Sequence, residues 1–535
     1  MKSIASLSKI QLAAAALALA LTGYSVEDAR AETDMLAFRL ALTSEVSDDE
    51  TLLSFYRDRD FRPIWLAGED AKERRIVLLS ALDDSVGHGL PSFRYKPDRL
   101  KSLFANAVSY WDLAVAEGAA SKTYLQYARD LNTGALEPED IDDGIKRKRR
   151  HIETDFLMER ILSPAPDAFL ASLAPADPAY RELRKELLRL DAMIAKGGWG
   201  EPLPSEIGIL RLGDKGGEVV ALRNRLIRMG FLARNANVSF DVHVENAVKR
   251  FQSRHGFSAD GVVGSLTTDA LNISARDRRI QVAASLERLR WLNEPLGNKH
   301  VLVNLADFSA RIIENGQTAF YTRAVVGQSS DADLSTPEFS GLMTHMIVNP
   351  IWHVPYSIAS KEVLPVWQED PFAEEQLLIF DKENNEVDRA MIDFTQYSET
   401  NFPFSLKQPP GPLNALGEVK FMFPNKYSIY LHDTPEKNLF SKDVRTFSHG
   451  CVRLGKAHDL ARFLLAKQYQ FPDRLLDEAL YEDEEIKFDL AEPLPIHLVY
   501  RTVLVNAGGE INYRNDVYGR DRKIFDSLIE AGLIS

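Results

Sequence analysis

The stretch Ser-His-Gly-Cys-Val-Arg-Leu, residues 448–454, contains Cys451, the only cysteine of this 535-residue chain. In an extended segment His449 lies on the same side as Cys451, because side chains two residues apart share a strand face. A second stretch, Tyr-Leu-His-Asp-Thr-Pro at 430–435, places His432 19 residues before the cysteine. A hairpin-like return of that length lets His432 face Cys451 from a neighbouring strand. The two stretches therefore predict a β-rich unit around the cysteine.

The chemistry available to Cys451 depends on its neighbours. A lone cysteine is more often a small core residue than a nucleophile, and only a few per cent of a free thiol is ionised at neutral pH. An imidazole can take the thiol proton and later protonate a leaving amine, and His432 and His449 are both candidates for that role. The backbone N–H groups of Gly450 and Cys451 can stabilise an oxyanion, because glycine lets the backbone approach closely.

Two further side chains belong to the same candidate site. Tyr430 lies two residues before His432 and so on the same strand face; its hydroxyl can reach the pocket, or the ring is an ordinary half-buried aromatic. Arg453 is a candidate clamp for a carboxylate, or a surface cation. A zinc site uses the same residue types, but one cysteine and two histidines lack the closely paired ligands of a structural zinc site. We therefore expect no metal.

The composition of the chain limits the classes of binding partner and the cellular compartment that we expect. The net charge of -14 argues against nucleic acid and against an anionic membrane surface. The N-terminus is typical of a cleaved signal peptide. It contains Lys2 and Lys9, an apolar run from Leu12 to Leu21, and Ala-Arg-Ala at 29–31. An uncleaved membrane anchor is the alternative. After this segment no run of 18 or more apolar residues occurs, so we expect no integral membrane segment after signal cleavage.

The rest of the chain divides by pattern. Residues 33–196 have helical apolar spacing and contain a basic run at 146–150, which predicts a solvated surface. Glycines and prolines at 197–204 indicate a linker. Residues 207–273 predict a compact unit of three helices. From about Lys299 the pattern changes to strands, for example Val301–Asn304, Ala324–Val326 and Ser428–Leu431.

These motifs together resemble a known family. Ser-His-Gly-Cys-x-Arg with an upstream histidine is similar to the signature of the L,D-transpeptidase (YkuD-type) catalytic domain. The strings at 348–355 and 408–417 resemble the large Gram-negative branch, which carries a lid-like capping insertion. Asp-Gly-x-x-Gly at 260–264 and its surroundings resemble the peptidoglycan-binding type 1 domain, and Gly-Leu-Pro at 89–91 resembles the scaffold region of the same branch.

The resemblance implies an α+β multidomain protein. It would combine a mainly helical scaffold, a small three-helix peptidoglycan-binding domain and a β-rich, sandwich-like catalytic domain with a helical and loop-like capping insertion. The expected domains are a signal peptide (1–31), the scaffold (32–200), the peptidoglycan-binding domain (201–275), the catalytic domain (299–475) with its insertion at about 355–412, and a C-terminal scaffold extension (476–535).

The resemblance also implies an activity in the periplasm. A cysteine thiolate would attack the carbonyl of diaminopimelate at position three of a tetrapeptide stem, D-Ala would leave, and the amine of a second stem would resolve the thioester into a 3→3 cross-link. Hydrolysis of the same thioester, by a carboxypeptidase or amidase, and a non-catalytic wall-binding protein are the alternatives. No cofactor is implied. The oligomeric state, the acceptor and the group that orients the base are left open.

Roles are carried over one residue at a time. The nucleophile is carried onto Cys451, the general base onto His432 and an oxyanion-hole hydroxyl onto Tyr430. Carbapenems are expected to acylate the cysteine. The remaining candidates are two motif residues, His449 and Gly450, and three expected to bind substrate, Arg453, Trp352 and Asn414.

Overall fold

A computed structural model describes residues 26–204 and 206–533. The expected signal peptide, 1–31, therefore lies outside the described residues except for its last six positions, which open the first helix. None of the helices in the described ranges combines the length and the apolar character needed to cross a bilayer.

Helices fill the chain from Val26 to Ala195. The apolar spacing read from the sequence produces them, and Asp49 caps one of them by accepting a hydrogen bond from the Leu52 N–H at 2.9 Å. Their buried faces form one core that includes Trp65 and Tyr124. The helices are α1 Val26–Glu45, α2 Glu50–Asp58, α3 Ala71–Asp84, α4 Pro97–Asn106, α5 Tyr110–Thr133, α6 Thr154–Ile161, α7 Pro166–Ser172 and α8 Pro178–Ala195.

The three-helix unit has a core of its own. Asp241 caps its middle helix through hydrogen bonds from two backbone N–H groups at 3.0 Å each, and Leu222, Val248 and Phe251 are completely buried at its centre. The next helix returns to the scaffold, whose core it joins through Val282. These helices are α9 Gly217–Arg228, α10 Val242–Arg254, α11 Ser265–Asn272 and α12 Ala275–Trp291.

A nine-stranded sheet dominates the part of the chain after residue 298. Its order is β10-β3-β11-β9-β8-β4-β12-β1-β2, and β2 also pairs with β3, so the pairing closes into a ring with β10 added at β3. The predicted α+β class is confirmed by this succession of a helical region and a large sheet. The strands are β1 Lys299–Asn304, β2 Ser309–Glu314, β3 Gln317–Gly327, β4 Phe339–Val348, β8 Val419–Met422, β9 Leu431–His432, β10 Thr446–Ser448, β11 Val452–Leu454 and β12 Ile486–Val499.

The sheet extends past the boundary expected at residue 475. Strand β12 lies between β4 and β1, so part of the expected C-terminal extension is a central strand of the nine-stranded sheet. The rest of that extension packs on the scaffold core. It consists of β13 Val503–Val505, β14 Ile511–Tyr513 and α17 Arg520–Glu530. Two further helices, α15 Ala457–Leu465 and α16 Pro472–Tyr481, contribute to the core of the sheet.

The expected insertion is a small folded unit. It contains a separate three-stranded sheet with the order β5 Trp352–His353, β7 Ser405–Gln408, β6 Leu378–Phe380. Helix α13 Tyr356–Ile358 continues through a π turn, Ala359–Val363, into α14 Leu364–Glu369. The unit has its own apolar core, which includes Leu364, Trp367, Ile379, Phe394 and Leu406.

Candidate active site

Two adjacent parallel strands carry the candidate residues. Strand β11 pairs with β9 so that Arg453 lies opposite His432. Paired residues in this register point to the same face, and so do residues two positions apart on each strand. Cys451, just before β11, and Tyr430, just before β9, therefore share one face with His432. The structure brings the predicted nucleophile, base and hydroxyl together.

The turn that carries Cys451 is fixed by side chains on both sides. Gly450 has φ +103°, a left-handed value that favours glycine. The Gly450 carbonyl accepts a hydrogen bond from Thr336 Oγ1 at 2.8 Å, and the Ser448 hydroxyl donates to the Cys451 carbonyl. Within the described part of the chain, the N–H groups of Gly450 and Cys451 donate to no acceptor, so both are free for an oxyanion.

The thiol of Cys451 is held in its neutral form. It is half-buried and donates to the Ser428 carbonyl at 3.6 Å. Burial raises the pKa of the thiol to about 11, although hydrogen bonds from Tyr430 and the charges of Lys420 and Arg453 act in the opposite direction. Burial also raises the pKa of Tyr430 well above its ordinary value, so that hydroxyl remains a donor.

The imidazole of His432 has one free nitrogen. Its Nδ1 hydrogen-bonds to the Asp433 backbone carbonyl, which identifies the group that orients the base and assigns the proton to Nδ1. Nε2 is then an acceptor. Burial, followed by the charge of Arg453, lowers the pKa of His432 to about 3. Within the described residues the thiol and the imidazole form no hydrogen bond with one another, and the raised pKa of the thiol and the lowered pKa of the imidazole favour a neutral pair.

Lys420 is a charged neighbour that the sequence analysis did not single out. It lies opposite His432 on strand β8, and its Nζ is 4.1 Å from the centre of the Tyr430 ring. Burial lowers the pKa of Lys420, and the nearby Cys451 opposes that shift. A cation in this position stabilises a thiolate. Only the β8–β9 register reveals it, because nothing in the local sequence marks this lysine.

His449 contacts the insertion. Its Nε2 lies 2.8 Å and 3.0 Å from the two carboxylate oxygens of Glu362, which is in the π turn of the insertion. His449 is therefore not aimed at the thiol, although it precedes Cys451 by two residues. Glu362 is a second residue that sequence reasoning missed, since it lies 87 positions from its partner.

The three residues expected to bind substrate have different surroundings. Arg453 forms an ion pair with Glu436. Trp352 packs against the core of the insertion. Asn414 is 1% exposed, and its Nδ2 donates to the carbonyls of Pro350 and Pro409 at 3.0 Å and 2.9 Å. The amide of Asn414 thus closes the base of the insertion and has no hydrogen left for a substrate.

Family models match three parts of the chain. Residues 298–471 match the "L,D-transpeptidase catalytic domain", residues 50–187 the "Scaffold domain" and residues 215–271 the "Putative peptidoglycan binding domain". A Haemophilus influenzae protein named "Putative L,D-transpeptidase" is 31% identical over 246 residues, which are 46% of this chain and 48% of that protein. The chain thus spans about half the length of this curated relative.

Two solved structures with only weak similarity to this chain are L,D-transpeptidases by name. The L,D-transpeptidase from Xylanimonas cellulosilytica is 16% identical, covers 56% of this chain and 100% of its own, and has a TM-score of 0.17. An L,D-transpeptidase (Yku) from Stackebrandtia nassauensis is 14% identical, covers 54% and 94%, and has a TM-score of 0.21. With scores this low, neither structure bears on the arrangement of this chain.

Proposed function

Because residues 298–471 belong to the L,D-transpeptidase catalytic domain family, we propose that the chain forms 3→3 cross-links between peptidoglycan stems through a thioester on Cys451. The observation that carries the proposal is the shared face of β9 and β11, where a thiol, a buried imidazole with a free Nε2 and a phenol hydroxyl lie together.

The first half of the reaction acylates Cys451. Nε2 of His432 takes the thiol proton while the sulfur attacks the carbonyl of diaminopimelate at position three of a tetrapeptide stem. The N–H groups of Gly450 and Cys451 and the hydroxyl of Tyr430 hydrogen-bond to the oxyanion. The carbon–nitrogen bond to D-Ala then breaks, and the imidazolium returns its proton to the leaving amine. The product is a thioester.

The second half transfers the acyl group. The side-chain amine of a second stem attacks the thioester and gives a proton to His432, and the carbon–sulfur bond breaks. The sulfur regains its proton, and a new amide joins the two stems. Water in place of the amine would make the chain a carboxypeptidase, so the access that the site gives to an amine determines the outcome.

The neighbouring units support a substrate in the cell wall. The match of residues 215–271 to a peptidoglycan-binding family and the expected signal peptide favour action in the periplasm. We propose that the insertion is a lid over the thiol, because Glu362 of the insertion contacts His449 beside Cys451. In this arrangement a hydrogen bond between Glu362 and His449 joins the lid to the turn that carries Cys451.

Incubation with purified tetrapeptide muropeptides tests the proposal. Cross-linked dimers with a 3→3 bond, formed by wild type and not by Cys451→Ala, are the expected result. Tripeptide monomers alone would show that water is the acceptor. No product, together with no covalent adduct after meropenem in a folded sample, would contradict an enzymatic role.

A further inference from the structure

A groove of about 740 Å³ lies on the scaffold, between the end of helix α5 and helices α6 and α7. Its lining residues all lie between positions 132 and 173, so it belongs to the scaffold alone and shares no residue with the candidate active site. The volume is in the range of about 300–1,000 Å³ that is usual for sites of small ligands. The basic run at 146–150 ends in this groove with Arg150.

Two exposed arginines in the groove have only uncharged partners. Nη2 of Arg150 donates to Asn132 Oδ1 at 2.6 Å, and the guanidinium of Arg160 lies 5.1 Å from the centre of the Phe169 ring. Within the described residues neither arginine forms an ion pair with a carboxylate. A guanidinium has five N–H donors, so these contacts hold both groups in place and leave donors for a ligand. A carboxylate is a ligand that arginine binds with two parallel hydrogen bonds.

An exposed aromatic ring lies beside the second arginine. Phe156 is 50% exposed and precedes Arg160 by four residues on α6, so the two side chains share one helix face. The Phe156 ring packs edge-on against Phe169, with the ring centres 6.1 Å apart. Phenylalanine and arginine are both enriched where proteins bind partners. The groove therefore offers an apolar surface next to its cations.

One carboxylate also lines the groove. Glu153 lies in the segment before α6, and its nearest charged contact is Nε2 of His151 at 3.8 Å, which forms an ion pair only when that imidazole is protonated. The charged side chains available to a ligand are thus two guanidiniums and one carboxylate. Such a lining is complementary to a ligand with two carboxylates and one ammonium group.

We propose that this groove binds the diaminopimelate end of a peptidoglycan stem. The proposal rests on the proposed function, since that function places the chain among such stems. This end of a tetrapeptide has two carboxylates, on the diaminopimelate side chain and on the terminal D-Ala, and one ammonium group on the same side chain. The carboxylates contact Arg150 and Arg160, the ammonium group contacts Glu153, and the peptide lies against Phe156. The scaffold thereby holds one stem while the catalytic site processes another.

A fluorophore at the edge of the groove tests this binding. Cys451→Ala removes the only cysteine, so adding Ser172→Cys to that chain gives a single attachment point on the lining of the groove. Ser102→Cys, at an exposed serine of α4, gives a matched reporter outside it. The probe is the tetrapeptide L-Ala-D-Glu-diaminopimelate-D-Ala. We expect it to cause a saturable change in the emission of the dye at 172 and no change at 102.

Charge variants test the proposed contacts. Arg150→Gln combined with Arg160→Gln should weaken the binding of the tetrapeptide by about tenfold or more, whereas Lys148→Gln, at an exposed cation of the same basic run, should not. A tetrapeptide whose diaminopimelate and D-Ala carboxylates are amidated should also bind about tenfold more weakly. Circular dichroism confirms that each variant is folded.

Three results would overturn the proposal: no saturable change with tetrapeptide up to about 10 mM, which saturates a site with a Kd near 1 mM, equal affinity for the amidated peptide, or unchanged affinity in the double arginine variant. Tighter binding of glycerol phosphate would do so as well, because it would assign the groove to a phospholipid headgroup. The labelled chain has no nucleophile at position 451. A failure to form cross-linked dimers would therefore contradict the proposed function and leave this binding result unchanged.

Discussion

The thiol of Cys451 is expected to be protonated at neutral pH in the resting protein. Its pKa is about 11, and that of His432 is about 3. A thiolate–imidazolium pair would have to overcome a gap of about 8 pKa units, on the order of 10 kcal/mol. Two opposite charges about 4 Å apart recover only about 4 kcal/mol at an effective dielectric constant of about 20. The neutral pair is therefore the ground state.

The rate at which iodoacetamide alkylates Cys451 measures the ionised fraction of the thiol directly. With a pKa of about 11, roughly one thiol in 10⁴ is ionised at pH 7, whereas an ordinary thiol with a pKa near 8.5 is about 3% ionised. The more basic thiolate is about tenfold more nucleophilic, given a Brønsted coefficient of about 0.4–0.5. Iodoacetamide should therefore modify Cys451 about 30-fold more slowly than an ordinary cysteine at pH 7, and about tenfold faster with each added pH unit.

Intact-mass kinetics between about pH 5 and pH 10 would follow the modification, with circular dichroism confirming the fold at each pH. The same chain unfolded in urea supplies the ordinary thiol as an internal reference. Steric shielding alone would lower the rate at every pH by one factor and leave a plateau above about pH 9, as in the unfolded reference, whereas a pKa of about 11 keeps the rate rising up to pH 10. A rate plateau between about pH 5 and pH 8 would mean that the thiolate–imidazolium pair exists at rest, and would refute the reasoning.

Three further predictions concern neighbours of the thiol. Lys420→Met removes a cation beside the thiol and should slow both alkylation at pH 7 and meropenem acylation several-fold by mass spectrometry, whereas Lys426→Met, whose amine lies over another ring, should not. Glu362→Gln weakens a half-exposed hydrogen bond with His449 worth about 1 kcal/mol, so turnover of tetrapeptide stems should fall up to about fivefold with meropenem acylation unchanged. Glu399→Gln, which removes an ion pair with Lys361 inside the insertion, is the control, and equal losses in both assays would contradict a lid. The pKa of His432 is about 3 in the folded protein and about 6.5 in the unfolded chain. The contribution of His432 to the free energy of unfolding is therefore complete above pH 6.5 and declines as the pH falls, by about 2 kcal/mol at pH 5. Thermal melts of His432→Gln should show a shallower pH dependence than those of wild type.

Local sequence patterns were sufficient to predict the helices and the residues of the turn that carries Cys451. Helix α2, Glu50–Asp58, lies in the stretch 33–196 whose apolar spacing predicts helices, and it buries Leu52, Leu53, Phe55 and Tyr56, because amphipathic spacing is a local property. A glycine before Cys451 is explained by its positive φ. The strand expected at Ser428–Leu431 is only partly formed, since Ser428 has φ +57° and its carbonyl turns to the thiol.

Sequence patterns did not predict contacts between residues that are far apart in the chain. Lys420 and Glu362 reach the site through strand register and through the folding of a distant insertion. The basic run at 146–150 shows the same limit, and the prediction of a solvated surface is wrong for Arg147. Its guanidinium donates to Ser340 Oγ at 2.9 Å and to the Leu498 carbonyl at 2.7 Å. It thereby attaches the scaffold to the nine-stranded sheet.

If the protein is exported, as proposed, the neutral resting pair accounts for its free thiol. Oxidants and disulfides react with the thiolate, so a site in which roughly one thiol in 10⁴ is ionised at pH 7 is protected until substrate arrives. If the chain works in the periplasm, as proposed, protection matters, because that compartment is oxidising. The proton must then move during attack, and the oxyanion contacts of Tyr430 and the Gly450–Cys451 backbone offset the energy of separating charge. In the proposed reaction the sulfur of Cys451 is thus activated only in the transition state, because burial raises the pKa of the resting thiol.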